Sequence, residues 1–143
     1  MRTVLAVVVC IMASFGSFSF TMMAIDRTPP ITYEGARAIQ PTVKRGGNLD
    51  VEFQVFRTRI CPTVAKRWVI DAEGIKHAIP SYTVGMKLLA GRETYQRSIT
   101  VPENAAIGRA WYEVTLNYYC NFLHKVGWPI VVNSPPIEFT VSE

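Results

Sequence analysis

The sequence predicts an all-β sandwich of about seven strands behind one N-terminal apolar helix. Three observations lead there. Residues 3–25 carry no charged side chain. After Pro30, short runs of alternating apolar and polar residues recur between turn-forming clusters. No convincing helical period interrupts that series. The 143 residues therefore divide into a segment at 1–25, a proline-stiffened linker at 26–30 and a single domain at 31–143.

The apolar segment reads TVLAVVVCIMASFGSFSFTMMAI after Met1 and Arg2. Such a run at roughly 1.5 Å per residue makes a helix of about 34 Å, enough to cross a bilayer core. Arg2 and the amino terminus precede it, while Asp26 and Arg27 cancel behind it. The positive-inside bias places the N-terminus in the cytoplasm and residues 26–143 on the periplasmic or extracellular side. A cleaved signal peptide is the alternative, with small-x-small sites at Ser14-Phe15-Gly16 and Ser17-Phe18-Ser19. The apolar run continuing through Phe18, Phe20, Met22 and Met23 favours an uncleaved anchor in the bilayer through residues 3–25. Cys10 reads as a small apolar residue, and Ala13 with Ser17 gives a spacing that allows helix pairing.

The formal charge is +4, and residues 26–143 keep 14 of the 15 Lys/Arg and all 11 Asp/Glu. Of three cysteines, Cys61 and Cys120 fall in the exported part. An even number there predicts a disulfide. No Asn-x-Ser/Thr sequon occurs, in keeping with a bacterial periplasm or outer surface.

The strands follow in order. ITYEGARAI (31–39) is a first strand and KRGGN (44–48) a turn. In LDVEFQVF (49–56), Leu49, Val51, Phe53 and Val55 share one face, and Asp50, Glu52 and Gln54 the other. The pattern then flips at Arg57 and Arg59; two inward arginines would be costly, so a bulge or an exit from the core is expected near Val55–Arg57. RWVID (67–71), the turn AEG and IKHAI (75–79) form a hairpin. Ser81–Gly91 is irregular, TYQRSITV (94–101) is a strand and PENAAIG (102–108) a loop. In AWYEVTLNYYCN (110–121), Tyr112, Val114, Leu116, Tyr118 and Cys120 share a face. PIVV (129–132) is a short strand, and IEFTV (137–141) closes the domain after Pro135-Pro136.

The run VPENAAIGRAWYEV resembles the corner between the fifth and sixth strands of immunoglobulin-like and fibronectin type III-like domains, where a glycine (Gly108) and then a tyrosine (Tyr112) open the penultimate strand. Trp68 resembles the core tryptophan of that fold. The resemblance spans residues 31–142. It implies an antiparallel immunoglobulin-like sandwich and carries no function with it. In such a sandwich the second and sixth strands run the same way in opposite sheets, so Cys61 and Cys120 fall at one end, where a disulfide joins two loop bases. Around them gather Arg57, Arg59, Lys66 and Arg67, and then Phe122, Leu123, His124, Lys125 and Trp128. This basic rim with aromatic material inside it is the expected interaction surface. It would face the membrane that holds the anchor and meet either a protein partner or anionic headgroups. The opposing expectation is that Phe122, Leu123 and Trp128 cap the core while the cations are merely solvated.

Cys120-x-x-x-His124 resembles the copper loop of cupredoxins, with His77 implied as the second imidazole. No methionine follows His124, His77 shares its parity with Ile75 and Ile79, and a disulfide would remove the thiolate. Zinc lacks paired short spacings. Gly-x-Ser-x-Gly, His-Glu-x-x-His, Cys-x-x-Cys and phosphate-cradling motifs are absent from the sequence. Asp71 and Glu73 read as a solvated hairpin tip. The modest positive charge of an exported domain does not predict nucleic-acid binding. The sequence thus predicts a non-enzymatic interaction or scaffolding module of a membrane or envelope complex, without a cofactor. A secreted ligand-binding domain and a small copper protein are the alternatives.

Overall fold

The structure is a computed structural model and describes residues 2–84 and 90–143. Helix α1 spans Arg2–Ile25. It is long and apolar enough to cross a membrane, and none of its residues is buried against protein. The hydroxyls of Ser14 and Thr21 donate to the carbonyls of Cys10 and Ser17 one turn earlier. Those polar groups are therefore satisfied within the helix, as an apolar solvent requires.

The rest is an all-β sandwich of two sheets. Strands β1 (Ile31–Ala38), β3 (Asn48–Arg57) and β6 (Gly91–Thr100) form the smaller sheet in the order β1-β3-β6. The larger sheet runs β2 (Thr42–Lys44), β9 (Ile137–Ser142), β7 (Gly108–Tyr118), β4 (Thr63–Ile70), β5 (Lys76–Val84), with β8 (Ile130–Asn133) also on β7. All pairings are antiparallel except β2 on β9. The described residues thus hold nine strand segments where the sequence suggests about seven. Short β8 corresponds to the run expected at 129–132, and β2 is the segment without a counterpart in the sequence reading. Of the stretch Ser81–Gly91 expected to be irregular, residues 85–89 lie outside the described residues; Ser81–Val84 belong to β5, which shifts register against β4 between Ile79 and Tyr82, and Gly91 opens β6.

Alternation places the core. Leu49, Val51, Phe53 and Val55 of β3 and Tyr112, Val114, Leu116 and Tyr118 of β7 are buried as their period-two pattern requires. Ala65, Val69, Ile99, Ile137, Phe139 and Val141 complete the layer between the sheets. Burial pushes the Tyr112 phenol up to about 12, with nearby Arg67 opposing the shift. Ser134 bridges the proline-interrupted gap between β8 and β9: its Oγ accepts from the Val114 N–H and its own N–H donates to the Val114 carbonyl.

Two local expectations need correction. No bulge interrupts β3, which pairs with β6 without a register shift through Arg57 opposite Gly91. Arg57 stays on the inward side and meets Glu93 at 2.9 Å, so the charge is paired rather than expelled. Register shifts lie instead on β1, between Tyr33 and Gly35, and between β4 and β5, where Ala65 and Arg67 face Tyr82 and Ile79. Trp68 is not a core tryptophan. It is half-buried on the outer face of β4, with the Lys76 ammonium 4.8 Å from its ring centroid. The inward positions of β4 are Thr63, Ala65 and Val69, with Arg67 between them.

Candidate interaction site at the disulfide end

β3 and β7 both run toward the end of the sandwich at which β4 and β1 begin. Cys61 follows β3, Cys120 follows β7, and the structure joins them in a disulfide with their Cα atoms 4.9 Å apart. Beyond Cys120 the chain makes one helical turn, α2 (Phe122–Lys125). Asn121 caps it, its side-chain oxygen accepting from the His124 N–H at 3.1 Å. The turn closes with the Val126 N–H on the Phe122 carbonyl. Gly127, at φ 126°, supplies a left-handed backbone that returns the chain to β8.

His124 points into this end and is fully buried. Its Nδ1 accepts from the Cys120 N–H at 3.2 Å, which leaves the proton on Nε2. Nε2 then donates to the Asp26 carbonyl at 3.1 Å. The ring is a strut between the disulfide loop and the start of the linker. The linker is held at several further points. Asp26 and Arg59 form an ion pair at 2.8 Å, and Arg59 also donates to the Thr28 carbonyl. That guanidinium holds the Asp26 carboxyl below its usual range. Arg27 donates to the carbonyls of Trp128 and Pro129 and stacks over the Trp128 ring at 4.6 Å. The Thr58 N–H donates to the Pro30 carbonyl. From the helix side, Asn121 Nδ2 donates to the Met23 carbonyl at 3.1 Å.

The expected interaction surface therefore divides. Phe122, Lys125 and Trp128 are exposed at the disulfide end, with Phe122 at 65% and Trp128 at 53%. Val126 of the same loop joins them at 62%. Leu123 is half-buried and His124 is interior. Arg57 and Arg59 reach this end but are tied to Glu93 and Asp26. Lys66 and Arg67 do not belong to the loop: both sit within β4, opposite Thr115 and Val114 of β7. Arg67 donates to the Pro80 carbonyl and lies over the Tyr82 ring. Sequence reasoning also missed Asp26, Arg27 and Asn121. Only Asn121, a capping residue before a short apolar run, left a readable signal.

The copper set is taken apart by the same contacts. Cys120 is in the disulfide, His124 is engaged by backbone, and His77 binds Asp71 at 2.8 Å beside the β4–β5 turn. Among the described residues no group of three or more His, Cys, Asp or Glu side chains could hold a metal ion. Asp71, expected at a solvated tip, is completely buried. Its Oδ1 accepts from the N–H groups of Glu73 and Ile75, and its Oδ2 from His77 and the Ala106 N–H. Burial alone would raise its pKa, but these donors outweigh burial and hold the carboxyl well below its ordinary value. Gly108 lies close by: a Cβ there would meet the Ala72 Cβ at 3.0 Å, at a φ of 129° that already favours glycine.

No protein-family model and no curated protein matches the sequence. Among solved structures, the chain is similar to the alkylpurine DNA glycosylase AlkC of Pseudomonas fluorescens bound to DNA containing an abasic-site analogue. That likeness has a TM-score of 0.49 at 12% identity, over 86% of this chain and 33% of the glycosylase. This chain thus spans about a third of the glycosylase's length. It is also similar to the CARDB domain of the PF1109 protein of Pyrococcus furiosus in complex with di-metal ions. There the TM-score is 0.39 at 12% identity, over 80% of this chain and 89% of that domain. Likenesses this distant say nothing of what this chain does.

Proposed function

We propose that this chain is a single-pass membrane protein, N-terminus in the cytoplasm, that presents an immunoglobulin-like sandwich in the periplasm or outside the cell as a non-catalytic interaction module. The observation that carries the reading is the junction. A 24-residue apolar helix with no buried residue is joined to the sandwich through a linker bonded to the disulfide end at Trp128, Pro129, His124, Arg59 and Thr58. The helix itself is held there too: Asn121 Nδ2 donates to the Met23 carbonyl, a contact that a leader would gain nothing by making. The disulfide supports an oxidising compartment. The immunoglobulin-like assignment is supported by strand order: the first edge is divided between the sheets, β1 on β3 and β2 in parallel on β9. The carboxylate–imidazole pair of Asp71 and His77 is a turn clamp in this reading, since every oxygen of the carboxylate already accepts from the hairpin or from Ala106.

The test is the non-reduced intact mass of the protein recovered from alkali-washed membranes. The complete chain, two hydrogens lighter than its reduced form, is the expected result. A soluble product whose leader ends between Gly16 and Ala24 would overturn the anchor and leave a secreted ligand-binding domain.

A further inference from the structure

We propose that the loop from Asn121 to Trp128 is a lipid-facing wedge, seated in the headgroup layer of the leaflet from which α1 emerges. Phe122, Val126 and Trp128 meet the upper acyl chains there, and Lys125 meets lipid phosphate. The inference rests on the anchor reading above and adds a partner and a depth to it.

The depth follows from one hydrogen bond and a length. A helix of 24 residues is about 36 Å long against a hydrocarbon core of about 30 Å. If α1 spans, its last turn lies at the boundary between acyl chains and headgroups. Asn121 Nδ2 is 3.1 Å from the carbonyl of Met23 in that turn, so residues 121–128 lie at the same level. The linker cannot lift them away. Asp26 is held by His124 and Arg59, Thr28 by Arg59, Arg27 by the carbonyls of Trp128 and Pro129, and Pro30 by Thr58.

The side chains at that level suit the place. Phe122 and Val126 are the most exposed large apolar residues of the described sandwich, and Trp128 projects beside them. Tryptophan and basic residues favour the interface, where one end of the side chain is apolar and the other wet. Lys125 is exposed and Arg27 stacks on Trp128, while the Asp26 carboxylate at the linker is already paired with Arg59. Anionic lipid therefore meets net positive charge. A protein partner at this site would first have to displace lipid that the covalent geometry brings to it.

The experiment uses the full chain in phosphatidylcholine/phosphatidylglycerol vesicles whose acyl chains are brominated near the headgroup, which quenches tryptophan at that depth. Trp68 and Trp111 lie within β4 and β7, away from the loop, and serve as internal reference. The expected result is quenching of the wild type that is mostly lost in Trp128→Phe. Phe18→Trp on the Trp128→Phe background reports the helix and is quenched by bromines placed deeper. Quenching of that helix reporter with no quenching at Trp128 would overturn the wedge, leave the anchor standing and return the loop to a protein partner. An unquenched helix reporter would overturn the anchor and the wedge together.

Discussion

The two ends of the sandwich are organised around different kinds of buried group. At the hairpin end, one carboxylate, Asp71, accepts four hydrogen bonds and ties the β4–β5 turn to the loop before β7. At the disulfide end, a covalent bond, an imidazole strut, an ion pair and several arginine–carbonyl contacts share the same task. The difference concerns redundancy. A buried charge with all its donors concentrated on it is a single point of failure, because removing it strands those donors in a dry interior. A distributed junction loses one contact and keeps the others. Failure at the hairpin end should therefore be global, whereas at the disulfide end the loss of any one noncovalent contact should stay local.

The largest expected effect is Asp71→Ala. It leaves three backbone N–H groups and His77 without their acceptor, and should cost about 3–5 kcal/mol in chemical denaturation of the full chain. A loss below about 1 kcal/mol would show that water replaces the carboxylate easily and that the hairpin end is no hub. Removing the disulfide comes next. Its partners are 59 residues apart, which corresponds to about 4 kcal/mol in the chain-entropy model. Paired Cys61→Ser and Cys120→Ser substitution should lower the melting temperature while leaving the far-ultraviolet spectrum that of a β protein. An unchanged melting temperature would mean that the noncovalent contacts already close this end.

Acid sharpens the same contrast. Asp71 is held below its ordinary value of 3.8, so its stabilising contribution is complete above that pH and is lost as the pH falls through the folded-state value. Stability measured from about pH 4 down to about pH 2 should decline, and Asp71→Asn should flatten part of that slope. A slope unaltered by Asp71→Asn would assign acid lability to other carboxylates, such as Asp26 in its pair with Arg59.

How far these ends were legible in the sequence follows the range of the contacts. The strands β3 and β7 were readable because alternation is local. The disulfide was readable from an even cysteine count. Arg57 was misjudged because its partner Glu93 is 36 positions away and no local pattern announces it. Arg67 occupies an inward position that its polarity disguises: the Pro80 carbonyl and the Tyr82 ring make that position tolerable, and Trp68 is displaced to the outer face as a result. Asp71 looked solvated because its burial depends on the Ala106 loop, 35 residues further on. The docking of the linker was invisible for the same reason: Arg27 finds its acceptors about a hundred residues later.

A local effect is expected from His124→Ala. It deletes the strut between Cys120 and Asp26 while the Arg27 and Arg59 contacts remain. Trypsin cleavage after Arg27 should accelerate by roughly tenfold for each 1.4 kcal/mol of lost docking, with the global unfolding midpoint little changed. If global stability fell as far as in Asp71→Ala, the two ends would not differ in redundancy and the comparison would break.

The smallest effect belongs to Tyr33→Phe, near the middle of β1. Among the described residues the Tyr33 hydroxyl is buried without a hydrogen-bond partner, and burial pushes its phenol upward. The ring itself packs against Phe53 at a centroid distance of 5.7 Å, and phenylalanine preserves that contact. Deleting an unmet polar group removes a desolvation penalty without stranding another group, so the change should fall within about 1 kcal/mol of wild type and on the stabilising side. Asp71 and Tyr33 then bracket the interior: the same kind of deletion is severe where the buried group has four partners and harmless where it has none. A loss above about 1.5 kcal/mol in Tyr33→Phe would mean that the hydroxyl holds a partner in solution, and would place a third polar anchor between the two ends.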